Sequence, residues 1–561
     1  MADVHREKKE FRTLNNERIE VIMSKAIPPQ DPTSGFPEFA PGVTIEDGVR
    51  YERDIAVKMR DGITIYTDIY YPDGAKNIPA IVSWSPFGKR QGYLGQPVLG
   101  VPPGAVSPMA KFEGPDPAYW CRQGYAVINP DPRGTFNSGG NLNQFCSAEG
   151  RDCYDLIEWV ASRDWCNGRV GMSGNSWLAI VQWFTAAEKP PHLVAIAPWE
   201  GFDDFYRNSI FIGGIPETGF VSMFIQRQCG TGYVDDISAM MHRYPLMNAY
   251  WDDKRARVEN IQIPAYVVAS YTSIHTLGTF DGYRRIRSTN KWLRVHNTIE
   301  WPDYYSPKNL EDLRCFFDRY LKGIRNGWEF TPRVRLSILD PGGTDQINCP
   351  EKEWPVERAQ FQKLFLDASA DTLSPKPVKK ESSIRYKSQD EKGKVTFAIR
   401  FSKETEITGY MKLRLWVETD GADDMDMFAV VQKLDERGNH LPISVLGFPH
   451  PGARGQLRVS HRELDEARST PSEPYLTHRC EHLLSPGEIV PVDIGIWPIS
   501  MLWHAGQQLQ VVISGYTSSW MDIAMPGNGS IFRYELHNRG DHIIHTGGRF
   551  DAHLLVPFIP S

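Results

Sequence analysis

The sequence predicts an α/β protein, a parallel sheet with helices on both faces, followed by an all-β sandwich. Three observations lead there. Short apolar runs alternate with helical patterns between residues 80 and 295. One of those patterns, residues 176–187 (SWLAIVQWFTAA), is apolar on nearly every face, and a helix of that kind must be buried. Beyond residue 330 the helical patterns give way to short β-type runs separated by clusters such as ERGNH and SPGE.

Residues 1–47 begin charged and then become Pro/Gly-rich, which reads as an arm with a short helix around residues 10–24 and an extended strap behind it. Runs at 53–59 and 64–70 flank an Arg60-Asp61-Gly62 turn and read as a hairpin. Residues 80–84 (AIVSW), between Pro79 and Pro86, form a buried strand, and 125–129 (YAVIN) another. Residues 153–162 have helical periodicity, 169–172 are a brief strand, and 193–197, 265–269 and 293–295 are further buried strands. These assign the core to 48–204 and 264–330. Residues 205–263, rich in Met and Tyr, interrupt the alternation and read as an inserted helical cap, where a lid would sit. Residues 331–561 form the β-sandwich, with strands expected at 334–339, 361–366, 410–417, 427–434, 490–496, 508–513 and 554–558.

Composition narrows the function. The 561 residues are 41% hydrophobic and 23% charged, the usage of a folded globular chain. A net charge of -7 argues against a nucleic-acid partner, because neutralising phosphates takes a basic surface. No run approaches the ~18 apolar residues of a membrane span, and the first residues lack the apolar core of a secretory signal, so no membrane and a cytoplasmic location are expected. The eight cysteines contain no CxxC pair, which suits reduced thiols. No P-loop, H-E-x-x-H or EF-hand pattern occurs, so no metal and no cofactor are expected. The 12% aromatic content, with 16 Trp, points to aromatic-rich cores or an apolar cavity.

The most informative run is GRVGMSGNSWLAIVQW. A strand enters a Gly-containing turn, presents Ser176 and continues into the buried helix. A nucleophile elbow needs that context, with the Trp177 N–H facing a developing oxyanion. The second Gly of G-x-S-x-G is absent; Gly174 and Ala179 are the small residues that permit close approach. The alternative is a serine helix cap.

At this point a resemblance becomes specific. MRDGITIYTDIYYP, SWSPFGK, FEGPDPAYWCRQGYAVINPDPRGTFNSGG, the elbow run and, near the C-terminus, HTGGRFDAHLLVPFIP are similar to the CocE/NonD group of α/β-hydrolases, the X-Pro dipeptidyl-peptidase and cocaine-esterase type. The resemblance covers about residues 50 to 560 in order. It implies an α/β-hydrolase core, a helical cap, a terminal jelly roll, and ester or amide hydrolysis by a Ser–Asp–His triad without a cofactor.

Three positions depart from that pattern. Thr272 stands where the family acid is expected, Ile299 and Glu300 where the histidine is expected, and Phe87 where a tyrosine hydroxyl would serve the oxyanion. His296, with Glu300 as its partner, is a substitute base; His275 and His545 are others, each with a structural reading as a hydrogen-bonded buried His. A desolvated Glu300 would also serve as a proton-transfer group in its own right, unless it pairs with Arg294 or Arg284.

Three readings therefore stay open. The first is a serine hydrolase using Ser176 with a non-standard base. The second is a non-hydrolytic isomerase, cyclase or lyase of specialised metabolism using Glu300 or His296. The third is an inactive binding scaffold. Under either enzyme reading the substrate is a fairly large apolar small molecule met by Trp84, Phe87, Trp177, Thr272, His275 and Trp301, and a homodimer is a reasonable assembly.

Overall fold

The computed structural model describes residues 5–31, 35–90, 99–225, 227–517 and 531–560. The chain divides into two compact units, one of residues 1–208, 221–294 and 299–333, the other of 209–220, 295–298 and 334–561.

The first unit opens with strands β1 (Arg6–Arg12) and β2 (Arg18–Lys25), paired antiparallel from Arg6↔Ser24 to Arg12↔Arg18. This corrects the expected helix at 10–24. Val21 and Met23, two apart, are both buried, so the apolar period is that of a strand facing one way. The main sheet follows: β3 (Gly42–Glu46), β4 (Val49–Lys58), β5 (Thr64–Pro72), β6 (Ile78–Val82), β7 (Ala126–Asp131), β8 (Cys166–Asn175) and β9 (Leu193–Trp199). After the short β10 (Tyr233–Asp235), which pairs with β2, come β11 (Ala265–Ser270) and β12 (Lys291–His296). The spatial order is β12-β11-β9-β8-β6-β7-β5-β4-β3, parallel from β11 to β7 and antiparallel from β7 to β3. The central parallel strands are nearly continuous apolar runs, as strands covered on both faces must be.

The helices of this unit are α1 (Pro117–Arg122), α2 (Ser147–Ala161), α3 (Trp177–Ala187), α4 (Ile237–Arg243), α5 (Ala249–Asp253), α6 (Thr276–Arg285), α7 (Glu300–Tyr304) and α8 (Pro307–Leu321). At β8, Gly171 lies against Phe317 and Leu321 of α8, where a Cβ would come within 3.0 Å of either. Its strand neighbours Val170 and Met172 are fully buried toward the other face, which α2 and α3 cover. The aromatic surplus goes largely into the α8 side: Trp120, Trp199, Tyr266, Trp292, Phe316, Phe317 and Trp328 share one buried cluster. Among its described residues, the segment read as a helical cap holds short pieces: α4, α5, π-helical turns at Tyr206–Ile210 and Val221–Ile225, 3-10 turns at Ile212–Gly214 and Val258–Asn260, and β10.

The second unit is an all-β jelly roll. The long strands Thr405–Asp420 and Val490–Trp503 pair antiparallel over most of their length, and Asp541–Thr546 and His553–Ile559 also pair with the former. Phe397, Leu413, Leu415, Val417, Val511, Ile513 and Leu554 fill its interior. No helix among the described residues is long and apolar enough to cross a membrane.

Candidate active site

The elbow is built as the turn after β8 requires. Ser176 sits at φ 53°, ψ -119°, a strained conformation for a residue with a side chain, and is partly exposed while its neighbours are buried. Gly174 (φ 135°) admits no Cβ, which would lie 2.5 Å from Leu178. Leu178 occupies the position of the missing second glycine. Helix and strand still approach closely because Gly201 lies against Ala179, where a Cβ would come within 3.0 Å. The Ser176 N–H donates to the Glu200 carbonyl at 2.9 Å, and the Ser176 carbonyl accepts from Ala179 and Ile180, closing the first turn of α3. The N–H of Trp177, first in that helix, has no intrahelical acceptor to reach.

His275 supplies the partner. Its Nε2 lies 3.2 Å from Ser176 Oγ. The residue sits in the turn between β11 and α6, three positions past Thr272, and its main-chain N–H donates to Ser273 Oγ at 3.1 Å. The Ser273 N–H in turn donates to Ser270 Oγ, so the turn is held by its own hydroxyls. The ring is buried, and burial holds its pKa down to about 4 against the attraction of Glu200. Among the described residues Nδ1, which is buried, has no hydrogen-bond partner.

Three buried carboxyl residues are tied to this turn or to the elbow, Glu200 through Ser270 and Glu113 and Glu300 through Asn175. Glu200 and Glu113 both occupy left-handed backbone conformations, φ 57° and 62°. Glu200 follows β9 directly, and its Oε2 accepts from Ser270 Oγ at 3.4 Å. Asn175 fastens the other two, donating its N–H to the Glu113 carbonyl and its Nδ2 to the Glu300 carbonyl, each at 3.2 Å. Glu113 Oε1 accepts from the Trp301 indole at 2.9 Å while Oε2 has no partner among the described residues, and burial pushes its pKa up to about 8. Glu300 is raised well above the usual carboxylate range, first by burial and then by the charges of Glu200 and Glu113.

A fourth carboxyl group has a different setting. Glu149 of α2 accepts from the indoles of Trp84 (3.0 Å) and Trp177 (2.9 Å) and from the Phe145 N–H (2.9 Å). Burial still raises its pKa to about 7, against those three donors and the nearby Lys254 charge.

The residues singled out in the sequence thus divide. Ser176, His275, Glu300, Trp301 and Phe87 belong to this region. His296 ends β12 and is grouped with the second unit, and its Nδ1 accepts the Thr298 N–H. His545 is spent on Glu418 at 2.8 Å. Trp84 and Trp177 are buried, 0% and 3% exposed, with both indole N–H groups committed to Glu149, so they form a wall behind the serine and offer little surface to a substrate. Thr272 is buried in the turn that carries His275. Arg294 pairs with Asp303, bidentate, which leaves Glu300 without that partner. Aromatic surface that stays partly exposed comes from Phe87, Phe112 and Trp301, packed in sequence with ring centroids 5.5 and 6.2 Å apart. Asp131, Arg133, Asp152 and Asp155 are ion-pair residues: Arg133 bridges Asp61 and Asp152, Asp155 pairs with Arg60, and Asp131 with Lys89.

Glu113, Glu149 and Glu200 are missing from the sequence-derived candidates. A signal existed for Glu200: it is the first residue past the strand beside the elbow strand, at the carboxyl edge where such sheets bind ligands.

Comparison with known proteins follows the same outline. Residues 61–232 match the family model described as X-Pro dipeptidyl-peptidase (S15 family), and residues 326–555 match that of the X-Pro dipeptidyl-peptidase C-terminal non-catalytic domain. A crystal structure of a CocE/NonD family hydrolase from Staphylococcus aureus is 33% identical, covers 100% of this chain and 97% of its own, and superposes with a TM-score of 0.85. The cocaine esterase of Rhodococcus sp. (strain MB1 Bresler) is 30% identical over 154 residues, which is 28% of this chain and 24% of the esterase. An α-amino acid ester hydrolase, 16% identical over 94% of this chain and 100% of its own, shares the fold at a TM-score of 0.69.

Proposed function

The chain belongs to the CocE/NonD hydrolase family, and from that premise we propose a serine acyl hydrolase in which Ser176 is the nucleophile and His275 its general base. The observation that carries the reading is the 3.2 Å approach of His275 Nε2 to Ser176 Oγ on a strained elbow. Ser176 Oγ attacks the ester carbonyl carbon, its proton passes to His275 Nε2, and the carbonyl π electrons move onto oxygen. The Trp177 N–H at the start of α3 stabilises that oxyanion. Collapse expels the alcohol, which takes the proton from His275, and water repeats the sequence to release the acid.

A base needs an anionic neighbour once it is protonated. Glu200 is that neighbour, because its charge is the attraction acting on the His275 ring. It acts through the field, as a positioning and stabilising residue. The carboxylate of the family triad is thereby moved from the turn after β11, where Thr272 stands, to the turn after β9. Phe87, Phe112 and Trp301 suit an apolar acyl or alcohol group, and esterase names among the relatives favour an ester.

A second reading rests on Glu300. A buried carboxyl group raised well above the usual carboxylate range, first by burial and then by the Glu200 charge, is suited to act as a general acid, and non-hydrolytic proton transfer would use it. One experiment separates the two. Enzyme quenched during turnover of an aromatic ester and analysed by peptide mass spectrometry carries the acyl group on Ser176 under the first reading. Turnover without any acyl adduct in wild type, retained in Ser176→Ala, would overturn it.

A further inference from the structure

A cluster in the second unit has the makings of a metal site. Glu463, Cys480 and His482 bring one ligand atom each to a common point, all within 4.8 Å of one another. Cys480 Sγ is 3.1 Å from His482 Nε2 and 3.8 Å from Glu463 Oε2, and His482 Nε2 is 3.7 Å from Glu463 Oε1. Bond lengths of about 2.3 Å to sulfur and about 2.0–2.2 Å to nitrogen and oxygen place tetrahedral zinc ligands about 3.4–3.6 Å apart. The three separations straddle that range with no metal holding them there.

The geometry separates this cluster from a reactive-thiol relay. In a relay, one imidazole nitrogen faces the thiol and the other faces the acid. Here the same nitrogen, His482 Nε2, faces both Cys480 and Glu463, so the atoms converge on one point. The frame is fixed by the main chain. The Thr477 N–H donates to the Glu463 carbonyl at 3.0 Å, the His482 N–H to the Ser460 carbonyl at 2.7 Å, and Leu464 and Leu476 form a bridge between the same two segments. Thr477 Oγ1 also donates to Glu463 Oε2, orienting the carboxylate as an outer-shell partner does. The side chains are partly exposed, so an ion can enter and a solvent ligand can complete the sphere.

We propose that Glu463, Cys480 and His482 bind a zinc-type divalent cation as a three-ligand site with a fourth, solvent-filled position. A thiolate, an imidazole and a carboxylate suit zinc, and the thiol proton passes to solvent as the metal–sulfur bond forms. The site belongs to the β unit and is independent of the catalytic reading.

Tag-free full-length protein, stripped of metal and held in a non-thiol reductant, is titrated with zinc sulfate against a chromophoric chelator. One equivalent binds in the sub-micromolar range, and Cys480→Ser and His482→Gln each weaken binding at least about tenfold. Cobalt(II) added to the stripped wild type develops a thiolate charge-transfer absorption that Cys480→Ser lacks, a readout that does not depend on comparing stabilities. Absence of saturable binding, or binding untouched by both substitutions, or a cobalt complex without the thiolate band, overturns the proposal.

Discussion

Ser176 has two flanks, and they carry opposite electrostatics. On one, His275 presents a buried imidazole whose pKa is held down to about 4 against the attraction of Glu200. On the other, Glu113 and Glu300 are buried with few donors, and burial together with the Glu200 charge holds both above the usual carboxylate range. Glu149, behind the Trp177 wall, is raised by burial to about 7 against three N–H donors and the Lys254 charge, and Glu113 is raised by burial to about 8 against one indole. The His275 flank can therefore accept a proton from the serine, while the Glu300 flank begins with its proton in place.

The largest expected effect falls on the first flank. His275→Gln removes the base and leaves the elbow intact, and kcat/KM for an aromatic ester drops on the order of 10⁴-fold or more. Stopped assays against Ser176→Ala set the floor. A loss under tenfold would break the contrast between the flanks.

Glu200→Gln comes next, at about 10- to 100-fold, and its pH profile is the sharper readout. His275 must be neutral to act, so wild-type kcat/KM is flat at neutral pH and falls as pH drops through about 4. Removing the carboxylate withdraws the attraction that favours the imidazolium, so the acid limb moves to lower pH while the plateau falls. A merely structural role would lower the plateau without moving the limb, and Glu200→Asp would not restore either.

The smallest effect is on stability. Glu113 binds its proton more tightly folded than unfolded, so it contributes stability that is full below the unfolded carboxylate pKa and is lost as pH rises through about 8. The amount is up to a few kcal/mol. Glu113→Gln, which keeps an acceptor for the Trp301 indole, flattens the fall in melting temperature between about pH 5 and 8. A variant with the wild-type slope would show that Glu113 ionises as an exposed carboxylate does.

Much of this was legible in the sequence because it is local. The buried strands, the apolar α3 and the Gly174–Ser176 turn are patterns of adjacent residues, and the resemblance carried them into an α/β-hydrolase with a jelly roll. The first strand pair was misread because Glu10, Phe11 and the residues after them also fit a helical spacing, and only the pairing with β2 settles the period. The site was half legible. His275 was named among the candidates, yet its 3.2 Å approach to Ser176, 99 positions away along the chain, depends on a turn fixed by Ser270 and Ser273. The commitment of Trp84 and Trp177 to Glu149 is likewise a convergence of three elements that no spacing announces.

The central claim is that the His275 flank activates Ser176. Fluorophosphonate labelling, followed by peptide mapping of wild type, His275→Gln and Glu300→Gln, addresses it directly. The account predicts a label on Ser176 in wild type and in Glu300→Gln, at rates within a few-fold of each other, and a loss of labelling in His275→Gln. Labelling that survives His275→Gln but disappears in Glu300→Gln would contradict it.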